Sequence, residues 1–167
     1  MTSARVRRAY ERLLEAIAML LMVALAVIVV VGVVFRTAGA SLVWYDEVAS
    51  ILLAWITFYG AALAALRGAH IGVPSLVDMM PPALRVAVTL LAEALVIAFF
   101  VLLAWIGWSV LDVLATDYLV SIPEVSVKYT QSVIPIGAML FALAEILRLP
   151  EVLRAARAGR DAQPAVA

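Results

Sequence analysis

The chain has 167 residues, of which 66% are hydrophobic and 14% charged; soluble domains are about half apolar and a quarter charged, so an ordinary water-soluble domain is excluded. Its 12 basic and 12 acidic residues cancel, so no net field attracts nucleic acid, and no basic stripe with interleaved aromatics is present. The absence of cysteine excludes disulfides, thiolate nucleophiles and cysteine-based zinc or iron-sulfur sites.

About 20 apolar residues in a helix cross a hydrocarbon core ~30 Å thick, and four windows of that length predict an all-α, polytopic membrane protein with four transmembrane helices. Residues 1–12 are a basic N-terminus, residues 13–150 hold the four spans, and residues 151–167 are a C-terminal tail whose end, AGRDAQPAVA, reads as disordered. The first span covers about residues 13–35. Its uncharged window 16–35 holds thirteen Leu, Ile, Val or Phe, which at about 0.3–0.6 kcal/mol each favour insertion by about 4–8 kcal/mol. So long an apolar run exceeds the roughly 7–15 residues of a cleaved signal peptide, and the span is expected to be retained.

The second span, residues 48–66, lies between the acidic pair Asp46-Glu47 and Arg67. Twenty residues separate Glu47 from Arg67, about 30 Å of helix at 1.5 Å per residue, so these two cannot pair. Trp44 and Tyr45 suit an outer aromatic belt, with Arg67 and His70 at the inner edge. Gly60, Ala64 and Gly68 recur every four residues, and small residues at that spacing let a second helix approach closely. The neighbour is either within this chain or on another subunit.

After an apolar loop around Pro74, the third helix is expected to start near Pro82, a good first-turn residue, and to span residues 84–111. Glu93 stands eleven residues in, about 16 Å along the axis, a carboxylate at hydrocarbon depth. Such a group marks either a structural or partner contact or an ion or proton path. No basic residue in any window can pair with it. The fourth span, residues 129–147, carries Glu145 three residues before Arg148, on one helix face, and Pro135, which predicts a bend.

Ten of the twelve Lys and Arg fall in the N-terminus, the middle loop and the C-terminus. Basic residues stay cytoplasmic, so both termini are expected in the cytoplasm. His70 is the only histidine and alone cannot build a metal site that needs three or four donors. No Walker A sequence, Gly-x-Ser-x-Gly or His-Glu-x-x-His occurs, and the residues suggest neither an enzyme nor a cofactor.

The order of these features resembles the small permease subunit of tripartite ATP-independent periplasmic (TRAP) transporters, the DctQ family, over about residues 10–150. One part of the likeness is the acidic pair after Trp44, then Phe58-Tyr59-Gly60-Ala61-Ala62, Arg67 and His70-Ile71-Gly72-Val73; another is Ser121-Ile122-Pro123 with Tyr129 and Pro135-Ile136-Gly137. The chain departs from the family where Pro74 delays an acid to Asp78 and where the acidic pair reads Asp-Glu. The resemblance implies a bacterial inner-membrane scaffold. It would sit beside a large DctM-type permease subunit that carries the substrate and sodium sites, supplied by a periplasmic substrate-binding protein with an organic acid such as a C4-dicarboxylate or sialic acid. Contacts to that partner are then expected at Trp44, Asp46, Glu47, Gly60, Ala64, Arg67, Gly68, His70 and Glu93. Two other classes compete: a stand-alone homo-oligomeric ion or solute transporter with Glu93 as coupling carboxylate, and the membrane anchor of a redox enzyme, which would lack the second axial histidine of a bis-histidine haem.

Overall fold

Long apolar runs leave the backbone one way to satisfy its N–H and C=O groups in lipid without pairing to another segment, the α-helix. The computed structural model describes residues 2–69, 77 and 79–158. Among them are four helical spans long and apolar enough to cross a membrane. These are α1 (Thr2–Thr37), α2 (Tyr45–Arg67), α3 (Pro82–Val113) and a fourth made of a short α4 (Val127–Gln131) continued by α5 (Val133–Ala158). A 3₁₀ turn, Leu114–Thr116, follows α3, and the one β-type pairing among the described residues is the isolated bridge between Tyr118 and Ser126. The chain is all-α, with four spans.

Local chemistry sets the helix ends. Pro82 opens α3 at the position where a missing N–H costs nothing, and the helix ends at Val113 rather than Leu111. At the end of α2, Gly68 adopts φ 66°, ψ 26°. Its N–H donates to Ala65 O at 3.1 Å and that of Ala69 to Ala64 O at 2.9 Å, the paired bonds of a Schellman cap. Gly68 was expected on the small-residue face of the helix. It is instead the left-handed residue that terminates it, a conformation glycine adopts without steric cost.

In the fourth span, Ser126 caps α4 by accepting from the Lys128 N–H. The helix is interrupted at Ser132, because Pro135 has no N–H to offer the Gln131 carbonyl four residues back. Beyond it α5 runs past the apolar window to Ala158 and carries Arg148, Arg154 and Arg157. His70 and the apolar stretch around Pro74 lie outside the described residues.

The helices pack in the order α1, α2, α5, α3, with α2 and α5 central. Small residues make this possible: Ala62 and Ala65 on α2 and Ala144 on α5 are buried with Leu14, Leu66 and Phe141, flanked by Tyr10, Tyr59 and Phe100. Phe100 of α3 stacks on Phe141 of α5, with ring centroids 3.8 Å apart and planes 15° off parallel. Two glycines mark the tightest approaches. A Cβ on Gly137 would lie 2.7 Å from Phe58 Cβ, and one on Gly32 would lie 2.2 Å from the Tyr45 ring, so α5 and α1 each meet α2 at a point where only hydrogen fits.

The outer helices keep most of their apolar surface uncovered. Leu20 on α1 is 70% exposed and Trp105 on α3 77%, within continuous apolar faces. In water such faces would be an aggregation surface. In lipid they are the natural boundary of the bundle.

Candidate functional site

Three zones of the molecule hold the residues singled out from the sequence: a clamp at the start of α2, an open face halfway along it, and a collar of ion pairs at its C-terminal end.

At the N-terminal end of α2, Glu47 lies just outside its uncharged window. Its carboxylate accepts hydrogen bonds from the Ser121 N–H at 2.8 Å, the Val120 N–H at 3.2 Å, and the Ser121 hydroxyl. These donors, the Ser121 hydroxyl first, hold the carboxyl below the usual carboxylate range against the smaller opposing effect of desolvation. The loop they capture is itself folded: Leu119 N–H donates to Val125 O at 3.0 Å and Val127 N–H to Asp117 O at 2.9 Å. Nearby, Trp55 Nε1 donates to Thr130 O at 2.9 Å, and Lys128 pairs with Asp112 at 3.2 Å. The clamp therefore ties α2 to the α3–α4 connection. Asp46 is exposed and Trp44 half-buried.

Because the folded-state pKa of Glu47 is lowered, the clamp is intact above the ordinary carboxylate range and lost as pH falls through that lowered value. The protection of the Val120 and Ser121 amides, taken as the ratio of the intrinsic exchange rate at each pH to the observed one, should thus stay high at neutral pH and fall in acid. Glu47→Ala is expected to give the low protection at every pH; unchanged protection in that variant would show that the loop holds itself.

Midway along α2, Gly60 and Ala64 are half-buried. A Cβ on Gly60 would meet nothing within 4 Å. This side of α2 is open, whereas the buried side carries Ala62, Ala65 and Leu66.

At the C-terminal end of α2, Arg67 Nε meets Glu11 Oε1 at 2.8 Å, and its Nη2 pairs with Glu15. Arg7 pairs with Glu151 and donates to Leu66 O at 3.1 Å, and Tyr10 donates to Leu140 O at 2.6 Å. Half-exposed pairs are each worth at most about 1 kcal/mol, so their main effect is to fix how α1, α2 and α5 are rotated against one another. Arg148 covers Gly68, where a Cβ would come within 2.8 Å of its guanidinium, and stands 3.8 Å from Glu145, the pairing that the three-residue spacing predicts.

The intramembrane carboxylate does find a group within the chain. Glu93 is half-buried on α3, and its side chain reaches Glu145 of α5. Glu145 is only 4% exposed, with its Oε2 unmatched by any hydrogen bond among the described residues. The two acids join α3 to α5 close to Arg148.

Of the nine positions named from the sequence, four are engaged inside the chain: Glu47 by the α3–α4 connection, Arg67 by α1, Gly68 as a helix cap beneath Arg148, and Glu93 by Glu145. Gly60, Ala64, Trp44 and Asp46 are not held in this way, and His70 lies outside the described residues. Sequence reasoning missed Ser121, Glu11 and Glu15 as the partners of Glu47 and Arg67. The Ser121-Ile122-Pro123 stretch was visible as a motif, and in space it meets the acidic pair that formed the other half of the same pattern. Among the described residues no three His, Cys, Asp or Glu side chains form a metal-binding group.

Comparison with known families gives a match to the one described as tripartite ATP-independent periplasmic transporters, DctQ component, over residues 25–155. No curated protein matches the chain.

Proposed function

We propose that this chain, which belongs to the DctQ family of tripartite ATP-independent periplasmic transporter components, is the fixed scaffold beside a large DctM-type permease subunit. The family is a transporter component and not an enzyme family, and with four apolar spans the chain is a multi-pass membrane protein. In this reading the large subunit carries out sodium-coupled uptake of an organic acid, a C4-dicarboxylate, sialic acid or a similar anion, delivered by a periplasmic binding protein. The small subunit sits in the bacterial inner membrane and holds its partner in place.

The observation that carries the reading is the open side of α2. Gly60 has empty space beside it in a bundle whose other helix contacts close down to single glycines. Small residues and close packing hold helices together where lipid removes the hydrophobic advantage, so the Gly60 and Ala64 face, with Asp46 toward its outer end, is where the partner docks. Glu47, Arg67, Gly68 and Glu93 then serve the partner indirectly, by keeping α2 rigid. Reconstituted vesicles containing this chain alone should show no organic-acid uptake, and uptake should require the large subunit. Uptake by the single chain, abolished by Glu93→Gln, would replace this reading with that of a small self-sufficient transporter.

The distribution of arginine supports an orientation with both termini in the cytoplasm. Because the chain has no cysteine, single substitutions report this cleanly. A membrane-impermeant maleimide applied from the periplasmic side should label Ser41→Cys and leave Ala158→Cys untouched; the opposite pattern would invert the topology.

A further inference from the structure

Three residues of α3 spaced seven apart, Gly107, Phe100 and Glu93, meet α5 in turn. A Cβ on Gly107 would lie 3.2 Å from Pro135 Cδ, Phe100 stacks on Phe141 with ring centroids 3.8 Å apart, and the Glu93 side chain reaches that of Glu145. Seven residues make about two helical turns, so the stripe that lays a small and an aromatic residue against α5 also brings two acids together. Glu145 is only 4% exposed, and its Oε2 has no hydrogen-bond partner among the described residues. Arg148 Nη1 stands 3.8 Å from that oxygen, an ion pair too long to be a hydrogen bond.

Ionised carboxylates only accept hydrogen bonds, so two of them in contact inside the bundle repel, and like charges sharing a site do not both persist. The charged and polar groups of the neighbouring helices are committed or distant. Arg67 of α2 is taken by Glu11 and Glu15, the Tyr10 hydroxyl of α1 by Leu140 O, and Arg85 of α3 lies eight residues from Glu93, about 12 Å along the axis. Two carboxylates alone fall short of the roughly six to eight oxygens that a hard cation such as calcium takes. A single proton satisfies both conditions: it supplies the missing donor, and it leaves the acids with one negative charge to set against Arg148. We propose that Glu93 and Glu145 share one proton, the protonated carboxyl donating to an oxygen of the other, so that with Arg148 they form an electrically neutral link between α3 and α5. Neutrality is what lets such groups stay at hydrocarbon depth.

The link lies wholly within the chain and can be tested on the purified full chain at neutral pH by infrared spectroscopy. The expected result is the C=O stretch of one protonated carboxyl, shifted by deuterium exchange and by carbon-13 glutamate but not by carbon-13 aspartate. Glu93→Gln and Glu145→Gln should each abolish it, because the amide brings its own N–H donor and the remaining acid balances Arg148 as a carboxylate. Asp46→Asn, at an exposed position, should leave it unchanged. Arg148→Gln removes the balancing cation and should about double the band, both acids then being neutral. No protonated-carboxyl band in the wild type, or a band that survives both glutamine variants, would overturn the shared proton. A band that emerges only when sodium is withdrawn at constant pH would replace the proton with a bound cation. Helical content by circular dichroism checks folding, and the carbon-13 measurement needs no variant, so it keeps the test decisive should a substitution fail to fold.

Discussion

Gly137→Leu should produce the largest loss of stability of any single substitution in the α2–α5 interface. The first added carbon lands 2.7 Å from Phe58 Cβ and 2.8 Å from its Cδ1, and Phe58 Cβ is fixed to the α2 backbone, so no rotamer change relieves the contact. Overpacking of this kind typically costs about 1–3 kcal/mol, and three further carbons push toward the upper end. For a chain of this size about 3 kcal/mol corresponds to a fall in the unfolding midpoint on the order of 10 °C. The expected result is a midpoint lowered by that amount in mild detergent, followed through tryptophan fluorescence. Phe58→Ala should not rescue Gly137→Ala, because alanine keeps the Cβ that the new methyl meets at 2.7 Å. An unchanged midpoint in Gly137→Leu would mean that α2 and α5 do not meet at this point.

Gly60→Leu should do the reverse. With nothing within 4 Å of the added carbon, the isolated chain has room for the side chain, and replacing glycine in a helix interior returns up to about 1 kcal/mol of helix propensity. The unfolding midpoint should stay the same or rise. Recovery of the large subunit with the tagged chain should fall at least about tenfold, since an overpacked helix interface losing 1–3 kcal/mol weakens binding by that factor or more. Two glycines on neighbouring helices thus have opposite expected outcomes, one read in the stability of the chain and the other in its company. Loss of stability in Gly60→Leu would place this face inside the fold, and undiminished recovery would place the partner elsewhere.

The features legible in the sequence were those written in local pattern. The four spans follow from apolar length, the start of α3 from Pro82, the interruption near Ser132 from Pro135, and the Glu145–Arg148 pair from helical spacing. A spacing of four residues, however, does not distinguish a packing face from a helix terminus. Gly68 fits the Gly60–Ala64 period and yet ends the helix, because the period cannot show where the backbone turns left-handed. Gly32 and Gly137 were ordinary glycines until Tyr45 and Phe58 were known to face them. Glu47 and Ser121 lie 74 residues apart and Arg67 and Glu11 lie 56 apart; no local periodicity encodes such pairings, which depend on how whole helices are rotated and staggered. The same holds for Glu93 and Glu145, whose meeting depends on α3 packing beside α5.

The scaffold reading stands most directly on co-purification. The tagged chain, extracted in mild detergent from cells that carry its full transport system, is captured and its companions are identified by mass spectrometry. A much larger polytopic membrane protein recovered in constant proportion with the chain is the predicted result. Recovery of the chain alone, or only with further copies of itself, would contradict it.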